Sequence, residues 1–289
     1  MFLVLLLDCT TDVSIMKRQD HKDTTIVTID SGETSTEPSA EPSSERTGVT
    51  GYAHLHLRQV ACPMCMGETQ EITIKFSSEF HEPSSDGHTD WMPSVGECTT
   101  NVFGMDPSTV PMNVGSLIQI SNPSHNFSAP LVQQGLYETT DIWEAQLQRD
   151  ATYKVQTDAG SFSFLSTRGF DYIEPYTMLW VDPSYAFDAP IYRSGASFYW
   201  GPQSFDSTFL ITVAVYSSDG SQMIGYVTCS GEDSGSMTIP SQHLQTYPVG
   251  SLVAIHLARH QIDFVETDIN NSFMQTHMEW EVVGTGHIE

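Results

Sequence analysis

From Val49 onward the chain alternates in steps of two. In "EITIKFSS", Ile72, Ile74 and Phe76 fall on one face while Thr73 and Lys75 fall on the other. The same period recurs in "GSLIQI" around Leu117 and Ile120, in "ATYKVQT" around Tyr153 and Val155, and in "SFSFLS" with Phe162 and Phe164. Alternation of this kind between turn residues predicts half-buried β-strands. Pro107, Pro111, Pro123 and Pro130 interrupt the chain often enough to forbid long helices between them. "TTDIWEAQLQRD", beginning at Thr139, fits a helical turn and a strand equally well.

The second half carries the same period more clearly. "ASFYWGP" reads as a strand ending at Trp200, and "TFLITVAVYSSDGSQMIGYVTC" reads as a hairpin. Phe209, Ile211, Val213 and Val215 share a face on its first arm, and Met223, Gly225, Val227 and Cys229 share one on the return. Asp219-Gly220 supplies the positive-φ positions of a tight reversal. "SLVAIHLARHQIDFVE" and "HMEWEVVG" add at least two strands. Between the halves, "FDYIEPYTMLWVDPSYAFDAP" carries Pro175, Pro183 and Pro190 with little periodicity, which places a boundary near Pro175. The predicted fold class is all-β: two immunoglobulin-like antiparallel β-sandwich domains in tandem, 49–175 and 176–289.

The first 48 residues differ in kind. "DSGETSTEPSAEPSSERTG", Asp30 to Gly48, has no apolar side chain larger than that of Ala40, apart from its prolines. It cannot bury enough surface to offset the entropy of ordering, so 9–48 is expected to be a disordered tether, kept extended by Pro38 and Pro42. Residues 1–8, "MFLVLLLD", are too short to span a bilayer as a helix and fit the end of an export signal. The Leu-Leu-x-Cys pattern resembles a bacterial lipobox and marks Cys9 as a candidate lipidation site. Two features depart from it: no positive charge precedes the run, and Asp8 stands where a small residue is usual. A cleaved signal peptide and an ordinary cytosolic start are the alternatives.

Charge narrows the partners. Eleven Lys and Arg against 36 Asp and Glu leave a net charge of −25. A surface that negative repels phosphate backbones and anionic headgroups, so no nucleic acid is expected and the membrane is reached only through an N-terminal lipid anchor.

Motifs with chemical content are few. "CPMC", Cys62 and Cys65, sits near His54 and His56 of "HLH", half of a zinc ligand set. No second C-x-x-C completes it, so no metal ligand and no cofactor is assigned. In an exported chain such cysteines form disulfides. Cys98 is expected to pair with Cys62 or Cys65, leaving Cys229 as a buried free thiol. His256 and His260, four apart on a strand, lie too far from one another for a single ion and are expected at the surface. "DSGE", "SSDG" and "EDSG" match no calcium loop and read as solvated turns. Among five tryptophans, Trp200 belongs to the core, while Trp91 and Trp180, in Pro-flanked stretches, are the candidates for a binding surface. "CSGEDSGSMTIPSQHL", 229–244, lacks a recognisable base or oxyanion hole for a serine nucleophile and reads as a turn between strands, with "SQHLQTYP" a helical turn capped by Ser241. No catalytic residue is assigned.

At "DAPIYRSGASFYW" and "VTCSGEDSGSMTIPSQHLQTYPVGS", with "QTDAGSFSF" before them, the chain resembles secreted proteins and lipoproteins of predatory and environmental bacteria such as myxobacteria. The resemblance covers roughly residues 110 to 260. It implies a surface or periplasmic β-sandwich of unassigned activity and carries over no functional residue. The functional expectation is a non-catalytic envelope or cell-surface protein, lipid-anchored, whose loops bind a protein or glycan partner. The alternatives are a secreted polysaccharide-acting hydrolase and a self-assembling appendage or adhesin subunit using its apolar N-terminus as a donor strand.

Overall fold

A computed structural model describes residues 48–60, 72–84, 92–100, 109–148, 151–166, 189–202 and 207–289. Cys9, the expected tether as far as residue 47, Cys62, Cys65, Trp91 and Trp180 lie outside them. The fold is nearly all β. In chain order the strands are β1 (Val49–Val60), β2 (Ile72–Ser84), β3 (Cys98–Thr100), β4 (Leu117–Ser121), β5 (Asn126–Gln133), β6 (Leu136–Thr139), β7 (Ala151–Gln156) and β8 (Ser161–Ser166). There follow β9 (Ala189–Ile191), β10 (Gly195–Tyr199), β11 (Thr208–Tyr216), β12 (Met223–Glu232), β13 (Ser236–Pro240), β14 (Leu252–Glu266) and β15 (Phe273–Ile288).

Thirteen strands form one sheet in the order β3-β12-β11-β14-β15-β1-β2-β6-β5-β4-β7-β8, with β9 on β15. β10 and β13 pair separately. The expected boundary at 175 falls among undescribed residues, and strands from both sides of it pair within this sheet: β1 runs parallel to β15, and β3 antiparallel to β12. The far end folds back, so that β8 packs on β14 and β15.

Alternation decides which face is dry. On β1, Ala53, Leu55 and Leu57 are buried; so are Ile74 and Phe76 on β2, and Val253, Ile255 and Leu257 on β14. These side chains join one apolar cluster with Tyr153, Val155, Phe162 and Phe164 from the other end of the sheet. Phe80 meets Tyr137 and Phe162 edge-on across it, at 5.6 and 6.4 Å. Over β11 the cover is Trp200, stacked on Phe209 with ring centroids 3.7 Å apart.

The β11–β12 hairpin reverses through a loop closed by Ser217 and Gln222, and of the expected Asp219-Gly220 pair only Gly220 takes positive φ, at +72°. "TTDIWEAQ" resolves as a 3-10 turn at Glu144–Gln146, which leaves Trp143 exposed. The helical turn expected at "SQHL" is α1 (Ser241–Leu244), but its N-cap is Pro240 and Ser241 is its first residue.

Candidate functional site

The opposite face of the sheet centre is polar where a solvated surface would be ordinary, yet it is largely withdrawn from water. His54, His56 and Arg58 alternate with Leu55 and Leu57, so the register that buries the leucines turns all three basic side chains to this face. Glu279 and Glu281 flank the buried Trp280 on β15 in the same way. Pairing brings the two sets together. One rung across three strands carries His56, Glu279 and His260; the next carries Arg58, Glu281 and Ala258. The rung on the other side carries His54 and His277.

Glu279 gathers imidazoles. Its Oε2 lies 2.8 Å from His54 Nε2, and its Oε1 lies 3.3 Å from His260 Nε2 and 3.8 Å from His56 Nε2. Glu281 sits 3.1 Å from His56 Nε2 and 3.2 Å from Arg58 Nε, and pairs with His256 Nδ1. The rings of His54 and His56 stack at 5.3 Å, and His277 meets His54 edge-on at 5.6 Å. Gln275 Nε2 donates to His277 Nε2 at 2.9 Å. On β2, Lys75 is in register with His56 but pairs outward with Glu138 at 3.0 Å.

Burial and pairing act against each other here. Desolvation works to raise both carboxyl groups, but it is outweighed: His260 and His56 hold Glu279 well below the ordinary carboxylate range, and His256 and His56 do the same for Glu281. Desolvation also pulls His56 down, yet the charge of Glu279 and the hydrogen bond with Glu281 push it up to about 8. For His54 desolvation wins, and its protonated form is disfavoured. The nitrogens of His54 and His56 and a Glu279 oxygen all lie within 4.8 Å of one another, the donor types and proximity of a metal ligand set.

Several sequence expectations change. His256 and His260 are not surface residues: His256 is half-buried and His260 is 1% exposed. Spaced four apart on one strand, they serve different carboxylates, because the facing strand presents Glu281 and Glu279 two residues apart. Cys98 is disulfide-bonded, but to Cys229 directly across the β3–β12 ladder, so Cys229 is not a free thiol. The Cys229 strand also runs on to Glu232, shortening the expected turn. From this stretch, Cys229–Glu232, Met237, Thr238 and His243 line a cleft of about 570 Å³ together with Gly96–Thr99, and His243 meets Thr100 Oγ1 at 2.7 Å. Asp233 of the same stretch is buried and structural. It accepts from Trp200 Nε1 at 2.5 Å and from Ser207 Oγ at 3.0 Å, and pairs with Arg259, whose Nη2 donates to the Gly201 carbonyl at 2.7 Å.

The glutamates were not singled out from sequence. Their signal was present in "HLHLR" and "EWE", two strands alternating apolar and charged residues of opposite sign.

No family model matches the chain. No curated protein matches it. One solved structure similar to it comes from work on host cell surface retention of a 1.5-MDa bacterial ice-binding adhesin, at 10% identity and a TM-score of 0.20. The match covers 83% of this chain and 65% of that one, less than two thirds of the neighbour's length. At that score the likeness carries no argument about fold or function.

Proposed function

We propose that the protein is an exported, non-catalytic binding protein of the cell envelope or surface, and that it recognises its ligand through the histidine–carboxylate face of the sheet. One observation carries the reading: His54, His56, His256, His260, Arg58, Glu279 and Glu281 converge on a single face where each charge must be taken from water. Ion pairs seldom repay that desolvation in stability alone, so a binding role is the better account of the expense. Binding rather than proton-transfer chemistry fits the two glutamates, both held far below the range a general acid or base needs near neutral pH.

Export is supported by the Cys98–Cys229 disulfide, since such bonds persist in oxidising compartments. A lipid anchor at Cys9, with 9–48 as its tether, completes the reading.

The test is fractionation of bacterial cells expressing the full chain, with thiol labelling before and after reduction. The expected result is envelope or extracellular protein in which Cys98 and Cys229 label only after reduction. Protein in the cytosol with both thiols free would sink the proposal.

A further inference from the structure

Glu279 and Glu281 occupy adjacent rungs of the same sheet and face the same way, yet their partners differ. Glu281 has a guanidinium, Arg58, beside its two imidazoles. Glu279, among the described residues, is paired only with imidazoles: His54, His56 and His260. A carboxylate that needs only a permanent counter-ion is served well by arginine, which keeps its charge and offers fixed donors. Imidazole is the cation that can surrender its proton and offer a lone pair to a metal instead.

We propose that this face binds one divalent transition-metal ion of the zinc class, held by His54 Nε2, His56 Nε2 and a carboxylate oxygen of Glu279, with His260, whose Nε2 lies 3.3 Å from Glu279 Oε1, as the fourth ligand. The proposal deepens the binding reading above by naming the ligand of that face.

The ligand chemistry selects the class. Calcium and magnesium take oxygen ligands, whereas two or three imidazoles with one carboxylate suit zinc, nickel or copper. Alternation on a strand is what makes the pair usable. His54 and His56 project from the same side with Leu55 buried between them, and their ligand atoms lie within 4.8 Å of each other and of Glu279. Donors of a tetrahedral zinc ion stand about 3.3 Å apart, by its metal–ligand lengths of about 2 Å. Closing the set thus takes side-chain shifts of at most about 1.5 Å, the difference between that bound and the tetrahedral spacing. Arg58 fixes the stoichiometry. Its charge already neutralises Glu281 and repels a second dication there, so the array holds one ion rather than two.

The decisive experiment is calorimetric titration of the chelator-stripped, oxidised full chain with zinc chloride, with and without Cys62→Ser and Cys65→Ser. One ion per chain is expected with both, because the cysteines are not ligands. Glu279→Gln, and separately His54→Asn with His56→Asn, should weaken binding at least about a hundredfold, more than loss of an outer-shell partner does. His125→Asn, an exposed change away from the face, should leave binding intact. Should the Glu279 variant fail to fold, NMR of the wild type decides: zinc-induced shifts centred on His54, His56 and His260 are expected. No saturable binding, equal binding by folded Glu279→Gln, binding that follows the cysteines, or shifts centred on other histidines would each overturn the assignment. Fractionation reads export independently, so a cytosolic protein that binds zinc at Glu279 refutes the compartment and leaves the metal site standing.

Discussion

At the scale of single residues, His56 shows how the site's charges are held. It stands between two carboxylates, 3.8 Å from Glu279 and 3.1 Å from Glu281, and these outweigh its desolvation to raise it from 6.5 to about 8. A group whose folded value is raised stabilises fully below its unfolded value, and the gain disappears as pH rises through the folded one. The His56 contribution is therefore present below pH 6.5 and lost as pH rises through about 8, ~2 kcal/mol over that window. His54 has the opposite sign, because its folded value is lowered. NMR titration of the metal-free protein should give a His56 midpoint near 8. A midpoint at or below 6.5 would show that the two glutamates do not govern it.

At the scale of elements, the β1–β2 ladder depends on one backbone feature. The pairing shifts register between Val49 and Gly51, and Gly51 has φ +144° with no room for a Cβ, which would lie 1.9 Å from the Glu79 carbonyl oxygen. Gly51→Ala must push β2 away or unwind the irregularity, at a cost of at least about 2 kcal/mol from strain and overpacking together. Urea denaturation measures it, and an unchanged midpoint would refute the close approach. Tyr52 and His54 follow directly after this kink, so the same variant should also disturb the histidine face. The strands themselves were legible in sequence: "EITIKF" and "LIQI" bury one face by simple alternation, while "TFLITVAVY" also buries Leu210 and Ala214 on its other face. The segment near Trp143 was not, because three residues of 3-10 turn leave no period to read.

At the scale of the whole molecule, the edge strand β3 is only three residues long and is tied to β12 by Cys98–Cys229, which closes 131 residues of chain. Closing a loop of that length restricts the unfolded state, and removing the bond typically costs about 2–4 kcal/mol. Replacing Cys98 and Cys229 together by serine should lower stability by that amount in chemical denaturation, with the sheet retained by circular dichroism. A loss near zero would mean that the cross-link adds nothing beyond the ladder it spans. The first histidine strand, β14, is separated from β12 by β11, so the ion pairs of Glu279 and Glu281 should survive in this variant.

The sequence by itself determined the all-β character, the strands that alternate cleanly, the Asp219-Gly220 reversal and the burial of Trp200, because each follows from neighbours a few residues apart. It also placed His54 with His56, and Glu279 with Glu281, on common strand faces. Only the tertiary structure decided that those faces coincide. The parallel pairing of β1 with β15 joins His56 to Glu279 across more than two hundred residues, and no local period encodes which strand lies beside which. The same holds for Cys98 with Cys229 and for Asp233 with Arg259: their chemistry is local, but their meeting is a property of strand order.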